Sequence, residues 1–240
     1  MQLMWDSLVE ALKLLFSMNG YVMSVLAMSL RTSGIALLLG AIIGIPLGAW
    51  LGLSRFPGRN VLASVVNTGL ALPPVVVGLF VYMLLSRRGP LGSLELLFTV
   101  PAMIIAQTII AAPVIGAISM AAIGSVPRDM RTQALGLGAS RWQTTWMVLR
   151  EARVSLMAAV VTGFGAVISE VGAVMMVGGN IATTSSNETR VMTTAIVQET
   201  RMGNFERAMA FGLILVLVAF VIMLVATRLQ QGARGRWLQS

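Results

Sequence analysis

Hydrophobic positions in this chain run in blocks of about 20 residues or more, and polar positions are gathered in the gaps between them. Five blocks are long enough to cross a bilayer as helices: 30–53, 61–85, 96–123, 154–177 and 208–227. Ahead of them, residues 4–18 set Leu8, Leu12, Leu15 and Phe16 against Asp6, Glu10 and Lys13. That stretch is too short and too polar to span. It predicts an amphipathic helix lying in the interface and ended by Asn19-Gly20. The pattern as a whole predicts an all-α integral membrane protein with five transmembrane helices per subunit. It divides into an N-terminal interfacial helix (1–23), a transmembrane domain (24–228) and a basic tail (229–240).

The blocks are not uniform. The first carries Gly34, Gly40, Gly44 and Gly48, small residues that let helices approach closely in lipid, and Pro46, which predicts a kink. The second holds Asn67 and Thr68 and then Leu72-Pro73-Pro74. Two adjacent prolines inside a span free backbone carbonyls that must be buried in protein or line a wet cavity. The third is expected to break at Pro101 and Pro113 and has Gln107 at depth. The fourth carries Glu170, whose isolated carboxylate would cost on the order of 2.5–3.5 kcal/mol in hydrocarbon. It is expected to face protein or water and to pair with a basic residue such as Arg31 or Arg190. The polar region 178–207 is too long for a turn and is expected to fold back partly into the bundle.

The polar gap 128–153 reads RDMRTQALGLGASRWQTTWMVLREAR and holds five arginines. Its first part suits a short helix with Asp129 near its positive end. Gly136 and Gly138 end that helix, and Ser140-x-x-Gln143 is a capping box opening a second. Two short helices joined by a glycine turn, outside the bilayer, are expected there.

Composition narrows the chemistry. Hydrophobic residues make up 57% of the chain and charged residues 11%, less than half the roughly 25% of soluble domains. Cysteine and histidine are both absent, which removes thiol chemistry, histidine general acid–base catalysis and histidine-ligated metal sites. No catalytic residues and no metal site are expected. Lys13 is the sole lysine and there is no GxxxxGK[ST] pattern, so this chain has no P-loop for ATP. The 17 methionines are irregularly spaced and read as apolar packing. The net charge of +8 points to membrane orientation, not nucleic acid, because the arginines cluster in the gaps. With five spans, one face holds ten basic residues, among them Arg55, Arg59, Arg128, Arg131 and Arg141, and the other seven. The 128–153 segment is then cytoplasmic, the N-terminus outside and the C-terminus cytoplasmic. Five helices are few for a wide pathway, so a twofold homodimer is expected.

The 128–153 segment resembles the EAA segment of permease subunits of binding-protein-dependent, ATP-driven importers. That motif reads EAA, three residues, Gly, nine residues, a hydrophobic residue, a gap, and Leu-Pro. Here Thr132-Gln133-Ala134 stand at EAA, Gly138 at the glycine and Val148 at the hydrophobic position, while Arg150-Glu151 replace Leu-Pro. Ser169–Ala173, Gly178–Ile181, Arg190–Ile196 and Gly203–Glu206 are similar to molybdate- and tungstate-type permeases, and Leu149–Arg153 is more like the tungstate branch. The similarity covers about residues 24–228.

The resemblance implies a type I ABC importer (MetI-like) permease fold in a bacterial cytoplasmic (inner) membrane. It implies a homodimeric channel, two cytoplasmic ATPase subunits, and an extracytoplasmic binding protein that delivers the oxyanion. ATP and Mg would sit on the ATPase, with no cofactor in this chain. The substrate would be tungstate, with molybdate or sulfate as alternatives. Arg131, Thr132, Gln133, Ala134, Leu135, Gly136, Gly138, Ala139 and Arg141 would form the ATPase-coupling segment. Asn67, Thr68, Pro73, Pro74, Gln107, Glu170 and Gly172 are candidates for the translocation pathway and gate; interhelical packing is the other reading of each. A proton-driven secondary transporter with Glu170 as carrier is the competing class, though its usual inverted repeat is not found.

Overall fold

The computed structural model describes residues 20–182 and 189–235, together with Trp5, Leu8, Val9, Leu12 and Lys13; of residues 229 and 231–235 only the backbone is described. The five described residues of the expected interfacial helix are all helical, and the rest of it lies outside the described residues, as do residues 236–240 of the tail. Ten helices follow in order: α1 (Gly20–Leu53), α2 (Arg59–Thr68), α3 (Pro74–Leu85), α4 (Val100–Gly124), α5 (Arg128–Gly136), α6 (Arg141–Glu151), α7 (Arg153–Ile168), α8 (Gly172–Gly178), α9 (Met192–Arg201) and α10 (Phe205–Gly235).

Three of these, α1, α4 and α10, are each long and apolar enough to cross a membrane, and α6 with α7 makes a fourth only as a pair bent by 64°. The two other expected spans are discontinuous. α2 and α3 are separated at Gly69–Pro73, where Pro73 is extended and Pro74 opens the next helix. α7 and α8 are separated at Ser169–Val171. Apolar side chains crowd the outer surface, with Leu38, Ile42, Val216 and Phe220 all more than half exposed, as a lipid-facing surface requires.

The axis of the molecule is the pair α1 and α4. Cβ atoms built on Gly40, Gly44, Gly48 and Gly52 would lie 2.7 Å from Ala111 Cβ, 2.6 Å from Ala112 O, 2.5 Å from Gly116 O and 3.0 Å from Ile123 Cγ2. Four glycines at intervals of four thus form one seam against α4, and only the missing side chains let the two backbones meet. Gly34, expected in this set, is not in it, since nothing lies within 4 Å of its Cβ position; Gly52 takes a place instead.

α1 has 34 residues, about 51 Å at 1.5 Å per residue, against ~30 Å of hydrocarbon. It begins at Gly20 instead of Leu30, because tertiary contacts hold its first turns. Val22 and Val25 pack with Met192, Ala195, Phe211 and Ile214, and Ser29 Oγ accepts the Met192 N–H at 2.7 Å. The region 178–207 does fold back into the bundle, as α9 lies in this cluster. α1 continues through Pro46 to Leu53.

The breaks expected in the third span do not occur. Pro101 falls in the first turn of α4, where its missing N–H is not needed. Pro113 is inside the helix, which continues past it, and its ring is accommodated by Gly69, whose Cβ would lie 2.3 Å from Pro113 Cβ. At the opposite end of the chain α10 runs on through Gly235 into the expected tail.

Candidate functional site

The two helix breaks sit side by side. Gly172, at the start of α8, faces Val75 in the first turn of α3, and a Cβ there would lie 2.6 Å from Val75 Cγ2. One turn on, Gly78 presses on Ala173, its Cβ position 2.6 Å from Ala173 Cα. Around this contact Val77, Val81, Met103, Ala106, Val174 and Val177 close an apolar core. The Pro73-Pro74 break and the Ser169–Val171 break are therefore one structural centre.

Three polar side chains tie that centre to its neighbours. Glu170 is buried, and its Oε1 accepts the Ala173 N–H at 2.8 Å, capping α8. A carboxylate suits the positive start of a helix. The Glu170 C=O accepts Thr193 Oγ1–H at 2.9 Å, joining α9 to the break. Gln107, 2% exposed in α4, donates Nε2–H to Val167 O at 3.0 Å and to Ser33 Oγ at 3.4 Å, while its buried Oε1 has no partner among the described residues. Gln107 thus adds a second donor to a carbonyl in the last turn of α7, which also accepts the Glu170 N–H at 3.3 Å.

The expected pairing of Glu170 with Arg31 or Arg190 is not what the structure shows. Arg190 Nε donates to Asn180 Oδ1 at 3.2 Å and Nη1 to the Tyr21 hydroxyl at 3.1 Å, and Arg31 is exposed on α1. A local backbone N–H three residues on meets the carboxylate more cheaply than a distant guanidinium. Asn67 and Thr68 also stand apart. Both are exposed, and Thr68 Oγ1–H bonds back to Ser64 O at 2.8 Å. Ser33 and Thr193 belong to the centre and escaped the sequence reading. Ser29, Thr32 and Ser33 are all buried, and their spacing along α1 is a polar stripe that could have flagged them.

The second candidate is the α5–α6 segment. Gly138 has φ +87°, and the Ala139 N–H reaches Ala134 O at 3.0 Å while the Gly138 N–H reaches Leu135 O at 3.0 Å. This is a Schellman ending, in which a left-handed glycine closes the helix. Ser140 and Gln143 then form the expected capping box, with Ser140 N–H to Gln143 Oε1 at 2.7 Å and Gln143 N–H to Ser140 Oγ at 3.2 Å. Ser140→Ala is expected to destabilise the start of α6 by about 1 kcal/mol, measurable as faster amide exchange over residues 141–146.

Leu137, between the helices, is 90% exposed, and Leu135, Trp142 and Trp146 are exposed beside it. Thr132, Gln133, Gly136 and Arg141 are exposed as well, and Ala134 and Ala139 are half-buried. Arg131 behaves differently. It is half-buried, and Nη2 donates to the carbonyls of Ile123 and Val126, tying α5 to the end of α4. Burial first, then the neighbouring charges of Arg128 and Arg55, lowers its pKa from the usual arginine value. Beneath the segment, Ala49, Ile123, Val126, Val148 and Ala152 form a small core joining it to α1 and α4. The geometry is a rigid protrusion with an apolar tip, mounted on the ends of two spans.

The family model described as "Binding-protein-dependent transport system inner membrane component" matches residues 44–235. A protein of Haloferax volcanii named "Probable anion ABC transporter permease protein" is 43% identical over 90% of this chain and 94% of its own length. The "Tungstate uptake system permease protein TupB" of Peptoclostridium acidaminophilum is 38% identical over 92% of this chain and 95% of its own. An inward-facing MetNI methionine ABC transporter structure superposes with a TM-score of 0.74 over 90% of this chain and 98% of that one, at 18% identity, which speaks for the fold alone. The fold is the MetI-like permease fold of type I importers, and the chain belongs to the family of binding-protein-dependent transport system inner membrane components.

Proposed function

We propose that this chain forms the membrane channel of an ATP-driven importer of a tetrahedral oxyanion, and that the oxyanion is tungstate. The observation that carries the reading is the joined pair of helix breaks at Pro73-Pro74 and Ser169–Val171. At the buried Glu170 end of that pair the polar contacts come from neutral groups, Gln107, Ser33 and Thr193, while Pro73 at the other end is exposed. Neutral amides and hydroxyls can solvate an anion in passing without holding it, which transport requires. Similarity to tungstate and anion permeases supports the substrate class.

In this reading two copies of the chain face each other. An extracytoplasmic binding protein delivers the anion, and two cytoplasmic ATPase subunits, which carry ATP and Mg, seat the α5–α6 protrusion from Arg131 to Arg141. The larger number of basic residues on that side puts the protrusion and the C-terminus in the cytoplasm and the N-terminus outside. Glu170 acts as a cap at the gate. A carboxylate already committed to the Ala173 N–H supports this role over that of a proton carrier.

Reconstitution in vesicles with the cognate ATPase and binding protein, scoring uptake of tungstate, molybdate and sulfate, tests the reading. ATP-dependent uptake with tungstate preferred is expected. A molybdate preference moves the substrate within the class, and uptake that follows a proton gradient without ATPase overturns it. Gly138→Val serves as the uncoupling variant, because a β-branched residue in the left-handed region costs ~1–2 kcal/mol or more and re-aims the tip. Uptake should fall ~10-fold or more with the thermal midpoint of the isolated permease little changed.

A further inference from the structure

Where α1 turns into α2, a cavity of about 770 Å³ opens between the 54–60 turn and the first turns of α5. Four guanidinium groups surround it, those of Arg55, Arg59, Arg128 and Arg131, together with Phe56 and Thr132, and among the described residues no carboxylate lines it. Two of the four are fixed. Arg59 Nε donates to Leu51 O at 2.7 Å, on the last turn of α1, and Arg131 is held on the carbonyls that end α4. Both are half-buried.

Capping of helix ends explains why Arg59 and Arg131 sit where they do. It does not explain why Arg55 and Arg128 are added beside them. Four like charges around one cavity repel each other, and the pKa of Arg131 is lowered first by burial and then by Arg128 and Arg55. The Arg131 Nε–H is buried with no partner among the described residues. Clustered guanidinium donors of this kind suit an anion.

We propose that the cavity holds the phosphate headgroup of an anionic phospholipid from the leaflet on the α5 side. Three observations favour a lipid over a free ion. The volume falls in the ~300–1,000 Å³ of sites that enclose whole organic molecules, far more than a lone tetrahedral ion fills. The cavity lies at the ends of two helices long and apolar enough to cross a membrane, α1 and α4, where they lead into α2 and α5. Phe56, on its wall, stacks on Trp50 with ring centres 4.9 Å apart and planes at 19°, the aromatic pairing of a membrane interface. A phosphodiester offers two oxygens to forked guanidinium donors, and basic pockets between spans are sites for such headgroups. Bound there, the lipid bridges the α1–α2 turn to α5 and stiffens the mount of the protrusion. The inference rests on the membrane reading above, and on its orientation only for which leaflet supplies the lipid.

The test uses the full chain in neutral detergent with dioleoyl phosphatidylglycerol as probe, dioleoyl phosphatidylcholine as control, and inorganic phosphate and tungstate as separate arms. Retained lipid is counted by native mass spectrometry and the thermal midpoint is followed. Phosphatidylglycerol should be retained and should raise the midpoint, and phosphatidylcholine should do neither. Arg55→Gln with Arg128→Gln, both exposed positions, should weaken retention roughly 30-fold. Arg87→Gln with Arg88→Gln, the same charge change at the opposite end of α3, should keep it. Equal retention in the two double variants overturns the proposal, as does a shift by phosphate or tungstate that matches or abolishes the lipid effect, which would make this a free-ion site. A micelle has no leaflets, so a wrong orientation leaves this result unmoved. Reagent access to Ser125→Cys from each side of cells tests the orientation separately.

Discussion

Gly48→Leu is expected to abolish the folded permease. The Cβ alone would stand 2.5 Å from Gly116 O, 2.7 Å from Ser119 Cβ and 2.8 Å from Met120 N. Two of these atoms are helix backbone, so no rotamer change relieves the clash, and α1 must lift away from α4. A single excess methyl in a packed interior costs typically ~1–3 kcal/mol, and Gly48→Ala is expected to lie at the upper end. Leucine adds four carbons to a seam with no room for the first. The separation then spreads to Gly44 and Gly52, which share the seam. Membrane-inserted, monodisperse protein should drop below detection for Gly48→Leu, with a thermal midpoint clearly lowered for Gly48→Ala. Gly34→Ala is the control on the same helix. Nothing lies within 4 Å of its Cβ position, so its midpoint should hold. A normal yield of Gly48→Leu would mean that the helices are not in contact along this line.

Glu170 provides the second large effect, and the choice of replacement separates two mechanisms. Glutamine keeps an Oε1 acceptor of nearly the same reach, so Glu170→Gln preserves the cap on the Ala173 N–H and should keep uptake close to wild type. Glu170→Ala leaves that N–H buried and unpaired, a cost of about 1–3 kcal/mol, at the place where α3 and α8 meet. Uptake should fall ~10-fold or more, with assembly retained because the surrounding core is untouched. If Glu170→Gln and Glu170→Ala are equally dead, the carboxylate does chemistry that an amide cannot, and a proton-carrying role returns. If both are active, the cap is dispensable.

What could be read without coordinates follows from how local each signal is. The α5–α6 turn was legible to the residue, because a capping box and a left-handed glycine are fixed by neighbours in sequence: Ser140 with Gln143, Gly138 with Ala134. The Pro73-Pro74 break was legible for the same reason. Proline position was not read finely enough. Pro101 is harmless in a first turn, and Pro113 is housed by Gly69, a partner more than forty positions away. The start of α1 was missed because Tyr21, Ser24 and Ser29 lower its hydropathy, and what holds it there is α9 and α10. For Glu170 the need for a partner is legible, but a backbone amide three residues on meets it in place of an opposite charge. The hydroxyls of Ser33 and Thr193 acquire their roles only when α1, α7 and α9 are brought together.

The glycine seam also has a mechanical meaning. A joint along which backbone meets backbone cannot slide or flex at small cost, so α1 and α4 move as one beam. The protrusion is bolted to the end of that beam by Arg131 and by the core around Val148, whereas the chain is jointed at Gly69–Pro73 and Ser169–Val171. A tilt imposed on the protrusion would therefore reach the far side of the membrane with little loss. The bending would be left to the two joints, which lie together against Val75, where the pathway would open and shut.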